Sequence, residues 1–279
     1  MNSEETKGKA AVSIARLIAV AALGAGASLA APASNSAEEY FTTVNFGAEI
    51  LAIDVRENKI TTRDVGPTGS LCASLAMSKW GTLYSVCGPL FGAQQLATID
   101  LKTGHASLFG VPTPGLAVMS ITFGPDGTLY AVGDCNPNFS IPECVPGTDP
   151  NFNSLYTIDV ASGAFTRVGA TGAPQYFMDL AFDHHGHLYG VTTTLAPSYV
   201  PAILYQIDPA TGAAAKVVDL IGSSQVMGLA FSAEGKLYGT DFVAIPGFYV
   251  IDVKTGFESA IGSLPKGLSS SLERVSGHE

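Results

Sequence analysis

The dipeptide Ile-Asp recurs five times, at Ile53-Asp54, Ile99-Asp100, Ile158-Asp159, Ile207-Asp208 and Ile251-Asp252, at intervals of 46, 59, 49 and 44 residues. A period in the forties marks a repeat architecture, in which each unit buries its apolar face only against its neighbours. Any residue that recurs once per unit must therefore first be explained as part of the unit. Each Asp is followed by a turn, most plainly in Asp100-Leu-Lys-Thr-Gly104 and Asp208-Pro-Ala-Thr-Gly212. An Asp that opens such a turn can accept backbone N–H bonds. The five carboxylates are thus read as turn formers, not as a catalytic or calcium-binding ladder.

Aligned on these turns, the chain shows a unit of four short strands. The first ends in a tight turn with Gly, as in Ser120–Gly127, Asp179–Gly186 and Gly228–Gly235. The second follows at once with a Leu-Tyr pair: Leu83-Tyr84, Leu129-Tyr130, Leu188-Tyr189 and Leu237-Tyr238. The third carries the Ile-Asp, and the fourth leaves the Gly turn, as at Phe165–Gly169. Strands bounded by Gly, Asp and Pro turns are hairpin signals. With 31 glycines, 16 prolines and 14 % charged residues, the composition suits an all-β chain. Four-stranded units at this period specify a β-propeller.

The Leu-Tyr-x-Ile-Asp-x-x-(Thr/Ser)-Gly and Leu-Ala-Phe-x-x-x-Gly-x-Leu-Tyr patterns resemble those of bacterial extracytoplasmic propellers of the broad NHL, YVTN and quinoprotein-like kind, over roughly residues 39–275. The resemblance implies a fold and no single activity. It argues against a pyrroloquinoline quinone enzyme, because Trp80 is the one tryptophan where that repeat family carries one per blade. No cofactor is expected.

Third-and-fourth-strand pairs number five, but complete first-and-second-strand pairs number four. The missing pieces lie at the ends. Ser271–Gly277 resembles Ser74–Gly81, and Glu39–Val44 resembles His187–Thr192. The expected fold is therefore five four-stranded blades over 38–279, the ring closed by pairing N- and C-terminal strands, which leaves no open sheet edge. Within inner strands, Met119, Ile121 and Phe123 alternate with Ser120 and Thr122, and Met178, Leu180 and Phe182 with Asp179 and Ala181. Period-two alternation predicts large residues facing one neighbouring blade and small ones the other.

Residues 1–37 read as a secretory signal: Lys7 and Lys9, an apolar run over Ile14–Leu29, then Ala31-Pro32-Ala33. A retained anchor is the alternative. No later segment has the length to span a membrane as a helix. The full chain has a formal net charge of −10, and no basic cluster suits it to nucleic acid. The expected location is secreted or periplasmic. Four cysteines in two local pairs, Cys72/Cys87 and Cys135/Cys144, fit disulfides there; no Cys-x-x-Cys supports a metal site.

Topology sorts the loops onto two faces. First-to-second and third-to-fourth turns share one face and are tight. Second-to-third and blade-to-blade loops share the other and vary, as recognition loops do. The longest, Asp134–Asn153, carries Cys135 and Cys144 and enough oxygen ligands to raise calcium binding as an alternative to a polar pinned loop. Gln94, Gln95, Phe139, Gln175, Tyr176, Tyr199, Gln225 and Phe242 are the candidate ligand-binding residues of that face, suited to a glycan, peptide or protein partner. Asp179 breaks a pattern of Ser74, Ser120, Gly228 and Ser271. With Glu273 it is the candidate catalytic pair of a hydrolase or lyase at the channel mouth, the alternative to a binding module. Its other reading is a polar residue satisfied by backbone groups. The cluster Asp183-His-His-Gly-His187 replaces an ordinary hairpin turn and is read as a solvated turn, not a metal centre.

Overall fold

Short β-rich segments separated by turns can bury their apolar residues only sheet against sheet, and the chain does so five times. The computed structural model describes residues 37–89, 93–113, 116–134, 153–193, 201–222, 225–243 and 246–275. The proposed signal peptide, the Cys135/Cys144 pair, Phe139, Tyr199 and most of the Asp134–Asn153 loop lie outside them.

Twenty strands are formed among the described residues. Blade 1 contains β1 (Glu38–Val44), β2 (Glu49–Arg56) and β3 (Lys59–Pro67). Blade 2 is β4 (Cys72–Met77), β5 (Leu83–Cys87), β6 (Gln95–Ile99) and β7 (Ala106–Phe109). Blade 3 is β8 (Ala117–Phe123), β9 (Leu129–Asp134), β10 (Ser154–Ile158) and β11 (Phe165–Ala170). Blade 4 is β12 (Tyr176–Phe182), β13 (Leu188–Thr193), β14 (Ile203–Ile207) and β15 (Ala214–Asp219). Blade 5 is β16 (Val226–Phe231), β17 (Leu237–Asp241), β18 (Gly247–Ile251) and β19 (Glu258–Ser263). The last strand, β20 (Glu273–Arg274), returns to blade 1 and pairs with β1 through Tyr40↔Arg274 and Phe41↔Glu273. Every sheet is antiparallel, and the inner strands β4, β8, β12, β16 and β20 touch in ring order. The chain is a five-bladed β-propeller.

Five clusters of buried apolar side chains fill the five interfaces between successive blades. The Leu-Tyr tyrosines work here. Tyr84, Tyr130 and Tyr189 each set a ring against a Phe at the end of the next inner strand, Phe123, Phe182 and Phe231, with centroids 5.5, 5.5 and 5.2 Å apart.

The alternation expected for the inner strands is corrected by a bulge. In β4, β8, β12 and β16 the register slips by one residue, at Ala73, Met119, Met178 and Met227. An extra residue in one strand moves every later side chain to the opposite face. Met178 thus packs with Val226, Leu229 and Phe231 of the next blade, while Phe177 and Leu180 pack with Val132 and Leu155 of the preceding one. Beyond the bulge the large-against-small rule holds.

Four of the five Ile-Asp turns are as read. Asp100, Asp159, Asp208 and Asp252 each accept a backbone N–H two residues on, at 2.8–2.9 Å. Asp54 is the exception: it lies within β2 opposite Thr61, and blade 1 turns instead at Glu57-Asn58, both with positive φ. The Gly closing each turn has a second use at the rim. Gly104, at φ 77°, abuts Gly66 of the preceding blade so closely that a Cβ on either would meet the other segment's backbone.

Cys72 and Cys87, opposite each other on β4 and β5, form a disulfide. Such a bridge is compatible with an extracellular or periplasmic protein. No helix among the described residues is long and apolar enough to cross a membrane.

Candidate functional site at the propeller axis

The inner strands present three successive tiers along the axis. Ser74, Ser120, Asp179, Gly228 and Ser271 form the first. Two residues on, Ala76, Thr122, Ala181, Ala230 and Glu273 form the second. Met77, Phe123, Phe182, Phe231 and Arg274 form the third, nearest the tight-turn face.

Asp179 is buried, with 1 % exposure, and both its oxygens are filled. Oδ1 accepts the Ser120 hydroxyl at 2.6 Å and the Leu180 N–H at 3.0 Å. Oδ2 accepts the N–H groups of Leu229 at 2.7 Å and Leu272 at 3.2 Å. In blades 3 and 4 the first-tier side chain serves an N–H of the next inner strand, whereas Ser74 Oγ in blade 2 is buried without a partner among the described residues. Ser120 accepts from Leu180 at 3.0 Å, and Asp179 serves Leu229. Gly228 has no side chain with which to serve Leu272, so the second oxygen of Asp179 reaches across to it. Nor is there room at Gly228: a Cβ would lie 2.9 Å from the Ser271 carbonyl carbon and closer still to Thr240 Oγ1. Burial pushes the Asp179 carboxyl up to about 7, against the pull of the four donated hydrogen bonds.

Glu273, one tier outward, is half-buried. Burial, together with the charge of Asp179, pushes its carboxyl up to about 8; a hydrogen bond from the Met77 N–H and the charge of Arg274 act in the opposite sense. The two carboxylates therefore do not face one open channel mouth, as the catalytic reading required; Asp179 takes its other reading, a polar residue satisfied by backbone groups. Asp179 is sealed among inner strands, because it must satisfy backbone donors on three of them. Glu273 faces the tight-turn end.

At that end lies a cavity of about 310 Å³. Thr122, Ala181, Ala230 and Glu273 line its inner part. Phe123, Phe182, Phe231 and Arg274 line its wall, and Asp183, His184, Ser232 and Ala233 its rim. A groove of about 260 Å³ shares Phe123, Phe182, Asp183 and Arg274 with it and is closed by Met77, Lys79 and Trp80 on one side and the Gly124–Gly127 turn on the other. Trp80 is 72 % exposed, and Lys79 Nζ sits 4.7 Å from the centre of its ring. Asp183 holds the histidine turn together, accepting from His185 N and His187 N and pairing with His187 Nδ1 at 2.9 Å. Burial works against its charge, but the bonds from His187 and His185 outweigh it and hold the carboxyl below the usual range. The cluster is a turn, as its register indicated, and no group of metal-ligating side chains occurs among the described residues.

On the loop-rich face, several residues singled out for binding are engaged inside the protein. Gln94 is buried, and its Oε1 accepts the Val118 N–H at 2.8 Å. Gln95 donates to the Gly110 carbonyl at 3.0 Å, and Gln175 Oε1 accepts the Thr192 hydroxyl at 2.7 Å. The main-chain carbonyl of Gln225 accepts the Phe242 N–H at 2.9 Å, and Tyr176 packs against the core between blades 4 and 5. Phe242 sets its ring edge-on to Phe46, itself 52 % exposed. The sequence passed over Trp80, Lys79, Arg274 and the three phenylalanines of the third tier as residues of a plain face. Their common signal is position: each falls at or just after the end of an inner strand.

No family model matches the chain. Among solved structures, its fold is similar to that of a gluconolactonase from Xanthomonas campestris, at 14 % identity over 85 % of this chain and 79 % of that one, with a TM-score of 0.50. It is similar to the PQQ-bound aldose sugar dehydrogenase of Streptomyces coelicolor, at 17 % identity over 76 % and 73 % of the two chains, TM-score 0.50. TolB from Acinetobacter baumannii gives 12 % identity, 86 % and 67 % coverage and a TM-score of 0.50. The likeness is one of fold. The proteins that share this fold include both enzymes and TolB. Identity this low carries no residue roles across.

Proposed function

We propose that this chain is an exported propeller that acts as a binding module, and that its ligand enters the tight-turn end of the axis. The observation that carries this reading is the 310 Å³ cavity there, of ordinary ligand-pocket size, with an aromatic wall and an acid and a base converging on it. Export rests on the leader-like character of residues 1–37 and on the Cys72–Cys87 bridge. The ligand classes are those expected from sequence, a glycan or a peptide.

The test is calorimetric titration with a panel of soluble oligosaccharides and short peptides, on the native chain and on Ala233→Trp. Ala233 is an exposed rim residue, so the bulk covers the opening without entering the core. Ligand affinity should fall at least tenfold in Ala233→Trp and stay unchanged in Phe242→Ala. The reverse pattern would move the site to the loop-rich face and overturn this placement.

A hydrolase or lyase reading has one observation in its favour, the Glu273 acid that keeps its proton near neutral pH inside a cavity. Any turnover of glycosides by the native chain should then vanish in Glu273→Gln; turnover that survives the substitution ends that reading.

A further inference from the structure

We infer that the tight-turn cavity and its adjoining groove take a small ring-bearing monocarboxylate. This rests on the proposed placement of the site and goes further in naming the chemistry of the ligand. Three observations on the same surface carry it. First, two cations converge: Arg274 lines both cavities and Lys79 lines the groove. Glu38, whose Oε1 stands 3.8 Å from the Arg274 guanidinium, is engaged by the Ala233 N–H and the Tyr40 hydroxyl, and Asp183 is occupied by the histidine turn. A guanidinium is suited to a carboxylate, which it can hold through two parallel hydrogen bonds.

Second, flat apolar surface adjoins the cations. Trp80 stands largely exposed beside the groove, and Phe123 and Phe182 form the wall shared by both cavities. A ring stacked there would direct a carboxylate substituent toward Arg274. Third, Glu273 does not counter this charge near neutral pH, because burial and its neighbour Asp179 keep it in the acid form, which donates a hydrogen bond. The groups facing Glu273 are Asp179 from β12, Arg274 on its own strand and the Met77 N–H from β4, with Asp183 and His184 at the rim.

Trp80 is the single tryptophan of the chain, so its fluorescence reports this surface alone. The experiment titrates the full chain with benzoate and galacturonate, and with their neutral counterparts benzyl alcohol and galactose, following Trp80 emission and, independently, heat. At least one acid should bind tenfold or more tightly than its neutral counterpart. Arg274→Gln should erase that preference while leaving the thermal midpoint near native. Raising the pH from 7 to 9 should weaken acid binding severalfold in the native chain and leave it unchanged in Glu273→Gln. Equal binding of acid and neutral probes would overturn this inference and leave the proposed binding site standing. Absence of binding by both acids would overturn it too, while the oligosaccharide and peptide titrations judge the site itself.

Discussion

One carboxylate ties the centre of this molecule together. Inner strands of a propeller leave an edge of backbone N–H groups pointing at the axis, and buried N–H groups need acceptors. Ser120 serves this purpose in blade 3, and where blade 5 has glycine the longer, two-oxygen side chain of Asp179 covers the gap. The pair is complementary: Asp179 reaches because Gly228 leaves space. Asp179→Asn keeps the volume but turns a donor toward donors, and should destabilise the fold by about 2–4 kcal/mol in urea denaturation. Asp179→Ser repeats for Leu229 what Ser120 does for Leu180 but leaves Leu272 without an acceptor. It should cost less, about 1–3 kcal/mol. If both variants are as stable as the native chain, the axial tie is not what holds these strands.

At the scale of the element, the weakest strand does the most consequential work. β20 is two residues long, yet it supplies the inner strand of blade 1 and both Glu273 and Arg274 of the candidate site. It is held by pairing with β1, by Val275 N–H on the Glu39 carbonyl at 2.8 Å and by Leu272 N–H on Asp179. Truncation after Ser271 should therefore open the ring and expose the inner edge of β1. The expected readout is oligomers or aggregate by size-exclusion chromatography and loss of a single cooperative melt. A monomer with an unchanged melt would show that closure does not depend on β20. At the other inner strand of this interface, the Cys72–Cys87 bridge closes a loop of sequence separation 15 beside a bulge. Its removal by Cys72→Ser with Cys87→Ser should cost about 2–3 kcal/mol, measured by the denaturation midpoint. The hairpins, the Leu-Tyr packing and four of the Asp turns were legible in the sequence because each is a local or nearest-neighbour device. The bulges were not, since an extra residue in one strand shows only against its partner's register.

At the scale of the whole molecule, two acids on the axis give stability a particular pH dependence. Asp179 rises from an ordinary 3.8 to about 7 and Glu273 from 4.5 to about 8. Between these limits the folded chain holds protons that the unfolded chain has already released, so unfolding becomes easier as pH rises. The contribution of both groups is fully present below about pH 4 and is lost progressively up to about pH 8. The thermal midpoint should decline across that window, and Glu273→Gln should flatten the upper part of the decline. A midpoint that climbs from pH 5 to 8 in the native chain and in Glu273→Gln alike would contradict this account. The same acid form of Glu273 links stability to the ligand chemistry inferred for the cavity.

The sequence by itself determined the repeat, the number of blades and their closure through both termini, because these are set by periodicity and by which strand each end lacks. It also marked Asp179 as a departure from the pattern, with Glu273 as its candidate mate. Only the tertiary structure decided what the two do. Whether a carboxylate is sealed or open depends on how many donors from other blades converge on it, and those donors lie 50 and 93 residues away in sequence. Likewise the tight-turn face looked featureless along the chain. Its residues became a candidate site only when Trp80, Phe123, Phe182, Phe231 and Arg274, one from each inner-strand end, were brought round a common axis.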